Sequence, residues 1–183
     1  MRQTISIIIL LLFISCKKEI KKKGVKLKDT NFELSQINYP DIKKIEEINN
    51  GIEIGKSSGI SLSKSYFPEI DKYEFDQPII YKRDTTNSST SVSYFFTKKD
   101  SIVRLVEYSW YQNSKKETFI DSLYQINKRR ISKILKTNGT ETYKKVDYWW
   151  QKENHWDNDS IHVFSFIFGI KEGKRTRVII RYK

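Results

Sequence analysis

Few side chains in this sequence can support covalent or metal chemistry, and their spacing narrows them further. Its 183 residues include 2 His and 1 Cys, which excludes a disulfide framework and a thiolate zinc centre. Glu153, His155, Asp157 and Asp159 alternate along the chain, a cation-binding pattern if one strand face carries them all. Asp157-Asn158-Asp159-Ser160 has equally the composition of a turn, so no metal is assigned. Gly55-Lys56-Ser57 ends like a phosphate-binding loop, but Asn50 stands where such a loop has its first Gly and no strong helix follows. Nothing resembles the strand–turn–helix setting of a nucleophile elbow. No catalytic residue and no cofactor is assigned.

Binding chemistry is better supplied. Trp110, Tyr111, Tyr148, Trp149, Trp150 and Trp156 offer aromatic surface. Trp149 and Trp150 are adjacent, so within a strand they point to opposite faces, one free to enter the core while the other reaches a second face. Exposed Trp and Tyr beside Asn, Asp and Arg suit a glycan or a peptide partner. Arg104, Arg177 and Arg181 lie in strand-like runs. They form an anion-binding strip if their faces coincide; charges that keep sheet edges apart account for them equally well.

The net charge of +12 comes from 34 Lys+Arg against 22 Asp+Glu, and it raises the question of nucleic acid. Its distribution answers no. Lys17, Lys18, Lys21, Lys22, Lys23, Lys26 and Lys28 against Glu19 hold half of it within twelve residues. The chain has no Ala and is rich in Lys, Ile, Asn, Ser, Tyr and Phe, so part of the lysine reflects an AT-rich composition.

Met1-Arg2-Gln3-Thr4 is a short basic start, and Ile5 to Ile14 is apolar apart from Ser6. About ten apolar residues make a signal-peptide core, too short for the roughly 20 needed to span a bilayer. Phe13-Ile14-Ser15-Cys16 then resembles the lipobox of bacterial lipoproteins, with Phe13 in place of the usual Leu. The resemblance implies removal of residues 1–15, lipid attachment at Cys16 and a Lys-rich tether over 16–28. Composition and lipobox together resemble lipoproteins of the Bacteroidota, in which acidic residues after the Cys mark export to the cell surface. The basic Lys17-Lys18-Glu19-Ile20-Lys21 therefore implies an outer-membrane protein facing the periplasm. The lysines lie near anionic headgroups and add to the anchoring.

A single domain is expected over 29–183. Pro40 to Asn49 reads as a short helix, with Ile42, Ile45 and Ile48 at helical spacing and Asn50-Gly51 as the stop. Gly51 to Ser65 alternates as a strand or hairpin, and Tyr66 to Asp76 is irregular. Ile79–Lys82, Val92–Thr97 and Ile102–Tyr111 are β-branched and aromatic runs between turn compositions. Thr118 to Asn138 is one long amphipathic helix, with Thr118 and Asp121 close to a capping box. Strands follow at Thr142–Gln151, Ser160–Ile170 and Thr176–Lys183, the last two joined by a hairpin at Lys171-Glu172-Gly173-Lys174. This order predicts an α+β two-layer sandwich: an antiparallel sheet of about five to seven strands, one long helix across one face, and a short N-terminal helix.

Such a sheet should be polar on its uncovered face, and this one is not. His162, Phe164, Phe166 and Phe168 oppose Ile161, Val163, Ser165 and Ile167. Either the segment over about 29–76 covers the second face or an aromatic groove opens there. The functional expectation is a lipid-anchored envelope protein that binds a protein or glycan partner without catalysis, an immunity-type lipoprotein being one form. The alternative is an envelope hydrolase acting on cell-wall or glycan substrates.

Overall fold

The computed structural model describes residues 31–57, 62–84, 89–111, 118–170 and 173–183. The signal peptide, Cys16, the tether and the tip of the last hairpin lie outside them. Eight antiparallel strands form one sheet in the order β1-β2-β3-β4-β8-β7-β6-β5. The strands are β1 (Ile52–Lys56), β2 (Ile79–Lys82), β3 (Ser89–Phe96), β4 (Val103–Tyr111), β5 (Thr140–Val146), β6 (Trp149–Asp157), β7 (Ile161–Ile170) and β8 (Gly173–Tyr182). Helix α1 (Tyr39–Ile48) precedes them, and α2 (Thr118–Leu135) links β4 to β5. The sheet is thus two four-stranded meanders joined where β4 pairs β8.

The expected two-layer α+β sandwich of five to seven strands is overturned: the fold is mainly β, one eight-stranded sheet with two α-helices among the described residues. One feature accounts for the added strand. The run expected as one strand at Thr142–Gln151 is a hairpin, β5 turning into β6 at Asp147-Tyr148 with Val146 opposite Trp149. Both turn residues keep negative φ, so neither Gly nor Asn was needed to mark the turn. Beyond it β6 runs on to Asp157, the first residue of the run that reads as a turn. β1 falls within the Gly51 to Ser65 run expected as a strand or hairpin and forms the edge beside β2.

One face carries the larger core. Val92, Tyr94, Val106, Tyr108, Trp110, Val163, Val178 and Ile180 from the sheet meet Ile120, Leu123, Tyr124 and Ile131 of α2. α1 contributes Ile42 to the same core, and Phe32 packs edge-on to Tyr108 at 5.1 Å. Glu46 of α1 is buried and takes Arg83 in a two-pronged pair, 2.6 Å and 2.8 Å, while also accepting from the Tyr94 hydroxyl. A Cβ on Gly51 would lie 2.0 Å from Glu46 Oε2, so only Gly lets the chain leave α1 over this pair. The far end of α2 is held by β6: the Trp156 indole donates to Thr137 O at 3.0 Å and Asn154 Nδ2 to Asn138 O at 2.8 Å.

The second face is covered over part of its width. Leu62, Tyr66, Phe67, Ile70, Tyr73 and Phe75, from the irregular segment between β1 and β2, pack on Phe95, Leu105, Phe166 and Ile179. Backbone bonds pin this segment to the end of β3, from Asp76 N–H to Phe96 O (3.0 Å) and Lys98 N–H to Glu74 O (2.9 Å). Toward β6 and β5 the covering stops.

Candidate functional site

The alternation of β6 splits the adjacent tryptophans. Trp150 pairs with Gly169 and turns to the helix side, where a Cβ on Gly169 would lie 2.5 Å from its Nε1. Lys174 stands 5.9 Å above the Trp150 ring and bonds Asp121 in the first turn of α2. Trp149 takes the opposite face, beyond the edge of the covering segment.

There, Trp149, Tyr148, Tyr66, Gln151, Phe166, Phe168 and Arg177 line a groove of about 320 Å³. Tyr66, Trp149 and Gln151 also line an adjoining cleft of about 470 Å³ that reaches Thr142, Lys144, Glu153 and Phe164. The floor is the outward row of β7. Tyr66 lies parallel to Phe166 with ring centres 5.5 Å apart and meets Phe164 edge-on at 5.2 Å. Tyr148, in the hairpin turn, is 74% exposed, a large aromatic surface left in water. A larger cavity of about 600 Å³ lies against the outer side of α2, lined by Ile126, Arg129, Arg130, Lys133 and Ile134. Among the described residues a single helix supplies its lining, without the convergence of elements that marks a binding site.

Polar groups ring the aromatic floor. Gln151 Nε2 donates to Glu153 Oε2 at 2.9 Å. Partial burial raises the Glu153 carboxyl above its ordinary value, against the Gln151 bond and the nearby His155. Burial, and then the Glu153 charge, push the Tyr66 hydroxyl up to about 12. Arg177 sits 5.9 Å over Phe168, with its Nε 3.5 Å from Glu107 Oε1. Lys144 of β5 stands 5.5 Å over Trp149.

Of the residues singled out from sequence, the groove gathers Tyr148, Trp149 and Arg177. Trp110 is core, 2% exposed, stacked on Tyr108 on the helix side. Trp156 is also core, and Trp150 is half-buried on the helix side. The faces of Arg104, Arg177 and Arg181 do coincide, because a bulge at the start of β4 turns Arg104 to the second face. They make no free strip. Arg104 lies over Tyr73 at 4.9 Å and pairs with Asp100, and Arg181 lies over Phe67 at 5.9 Å, so both support the covering segment. Sequence reasoning missed Tyr66, Gln151 and Lys144. Tyr66 comes from an irregular segment with no periodicity, and the β5–β6 turn that brings Lys144 over Trp149 was itself unmarked.

The alternating acidic run also resolves. Glu153, His155 and Asp157 share the second face of β6, with His155 stacked on Phe164 at 4.5 Å. Asp157 lies 2.8 Å from His162 Nδ1 and 3.0 Å from Lys183. Burial, and then Arg181, hold the His162 imidazole below its ordinary value. Among the described residues no three His, Cys, Asp or Glu side chains converge on a point that could hold a metal ion, and no helix is long and apolar enough to cross a membrane.

Compared with known proteins, the chain matches no family model, no curated protein and no solved structure.

Proposed function

We propose that this chain is a lipid-anchored binding module of the bacterial cell envelope. Residues 1–15 are its signal peptide, Cys16 its lipidated residue and 16–28 its basic tether, on an outer membrane and facing the periplasm. The domain presents the groove around Trp149 to a protein or glycan partner and works without catalysis; neutralising an envelope-directed toxin is one form of this role. The observation that carries the reading is the groove itself: an exposed aromatic surface with a polar rim, left open where the rest of the same sheet face is covered.

Carboxylate placement weighs against the hydrolase reading. Glu107 and Glu153 share the second face and burial raises both, as a general acid requires. They stand on β4 and β6, three strand spacings apart, roughly 14 Å between backbones. Glycoside hydrolysis places its two carboxyl groups roughly 5 to 9.5 Å apart, and here the stacked Tyr66 and Phe166 rings occupy the space between.

A photo-crosslinking residue at Tyr148 in native envelopes, run beside Cys16→Ala, tests both halves of the proposal. The expected result is a specific adduct that disappears with Trp149→Ala, and a Cys16→Ala protein that leaves the membrane fraction unprocessed. Unchanged processing and fractionation of Cys16→Ala would overturn the anchor, and an adduct indifferent to Trp149 would overturn the site.

A further inference from the structure

The charges around the groove specify its ligand more closely, a step that rests on the proposed binding function. Two cations overhang the aromatic floor from opposite rims, Lys144 above Trp149 and Arg177 above Phe168. Lys144 has that aromatic contact and no ion pair among the described residues. Arg177 Nε is buried without a hydrogen-bond partner, its nearest carboxylate oxygen being 3.5 Å away on Glu107. The opposing charge in the adjoining cleft is Glu153, already bonded by Gln151.

The backbone beneath argues against a peptide. β6 is paired with β7 along its whole length and with β5 from Trp149 to His155, so the N–H and C=O groups under the groove are committed. The floor offers no edge for strand addition, the free edge of the sheet lying on the outer side of β5. The volume of about 320 Å³ stands at the small end of ligand pockets, which begin near 300 Å³. That holds a sugar ring or two. We infer that the groove binds an acidic glycan. A sugar ring lies against Trp149, its hydroxyls reach Gln151, and its carboxylate or sulfate groups face Lys144 and Arg177. Each cation gives the ligand a charge-assisted hydrogen bond. Because both cations sit at the rim, affinity falls as salt rises.

The test is an array of uronate-, sialate- and sulfate-bearing oligosaccharides beside their neutral counterparts, probed with the detergent-solubilised full chain. Acidic members should bind, with neutral ones weaker by about a hundredfold, two charged hydrogen bonds being lost at about tenfold each. Lys144→Gln and Arg177→Gln should each cost about tenfold on the same scale, Lys144→Arg should restore binding, and Trp149→Ala should abolish it. Lys144 is exposed, so its variants should keep the parent unfolding midpoint and remain informative if Arg177→Gln or Trp149→Ala does not fold. Equal binding of neutral and acidic members would overturn the charge selection and leave the proposed function standing. Binding by none would overturn the inference, and the proposed function falls with it only if the Tyr148 adduct is also absent.

Discussion

The second face of the sheet is one surface with two fates. Over β3, β4 and β8 it is roofed by Phe67, Tyr73 and Phe75, and its arginines lie on the rings of that roof. At the hairpin end of β6 and β7 the same kinds of residue, aromatic and Arg, face the groove. Composition is nearly constant across the boundary, and what changes is the presence of a covering segment. Aromatic residues on a sheet face therefore carry no functional meaning until their roof is known. Here the roof ends at Tyr66, which serves as core toward Phe166 and as groove wall toward Trp149.

The covered half depends most on Phe67, which is 3% exposed with Tyr73 and Phe75 edge-on at 5.7 Å and 5.5 Å. Phe67→Ala should cost about 3–5 kcal/mol in urea unfolding, as for other large-to-small core changes. A loss below about 1 kcal/mol, the size of an average point mutation, would mean that the covered half is not core. Arg181→Ala removes a guanidinium over Phe67 together with its buried stem, and should cost about 0.5–2 kcal/mol by the same measurement.

Glu107, on this half, gives a pH signature. Burial holds its carboxyl above the ordinary 4.5, with Arg177 pulling the other way. A carboxyl raised on folding contributes stability that is fully present below the unfolded value and lost as pH rises through the folded one. Glu107→Gln should therefore make the decline in stability shallower as pH rises from 4.5, read from unfolding midpoints across a pH series. An unchanged slope would contradict the burial. The smallest effect belongs to the open half, where Tyr148→Ala should leave stability within about 0.5 kcal/mol of the parent while weakening the Tyr148-side contact with ligand.

Much of this organisation is legible in the residues. Thr118 and the apolar stripe that follows locate α2, although the helix ends at Leu135, short of Asn138-Gly139, because Lys136 adopts a left-handed φ of 55° and Thr137 N–H bonds back to Ser132 O. Trp149 and Trp150 must diverge in any strand, and they do. The residues from His162 to Phe168 advertise a sheet greasy on both sides. What the sequence does not announce is non-local. A turn at negative φ leaves no Gly or Asn signal, so β5 and β6 read as one strand and the strand count fell short. Trp110 and Trp156 resemble Trp149 in every local respect, and they are core because α2, α1 and Phe32 cover their side of the sheet. Tyr66 is placed by the packing of an aperiodic segment, which no window of its own sequence encodes.

Of the 4 tryptophans, Trp149 alone lines the groove. Labelling all 4 tryptophans with 5-fluorotryptophan and assigning the ¹⁹F resonances through single Trp→Phe variants makes this directly observable. On titration with an acidic oligosaccharide that binds on the array, the Trp149 resonance should move in a saturable way while those of Trp110, Trp150 and Trp156 stay in place. Movement of Trp150 with Trp149 fixed, or of none of the four at saturating ligand, would contradict it.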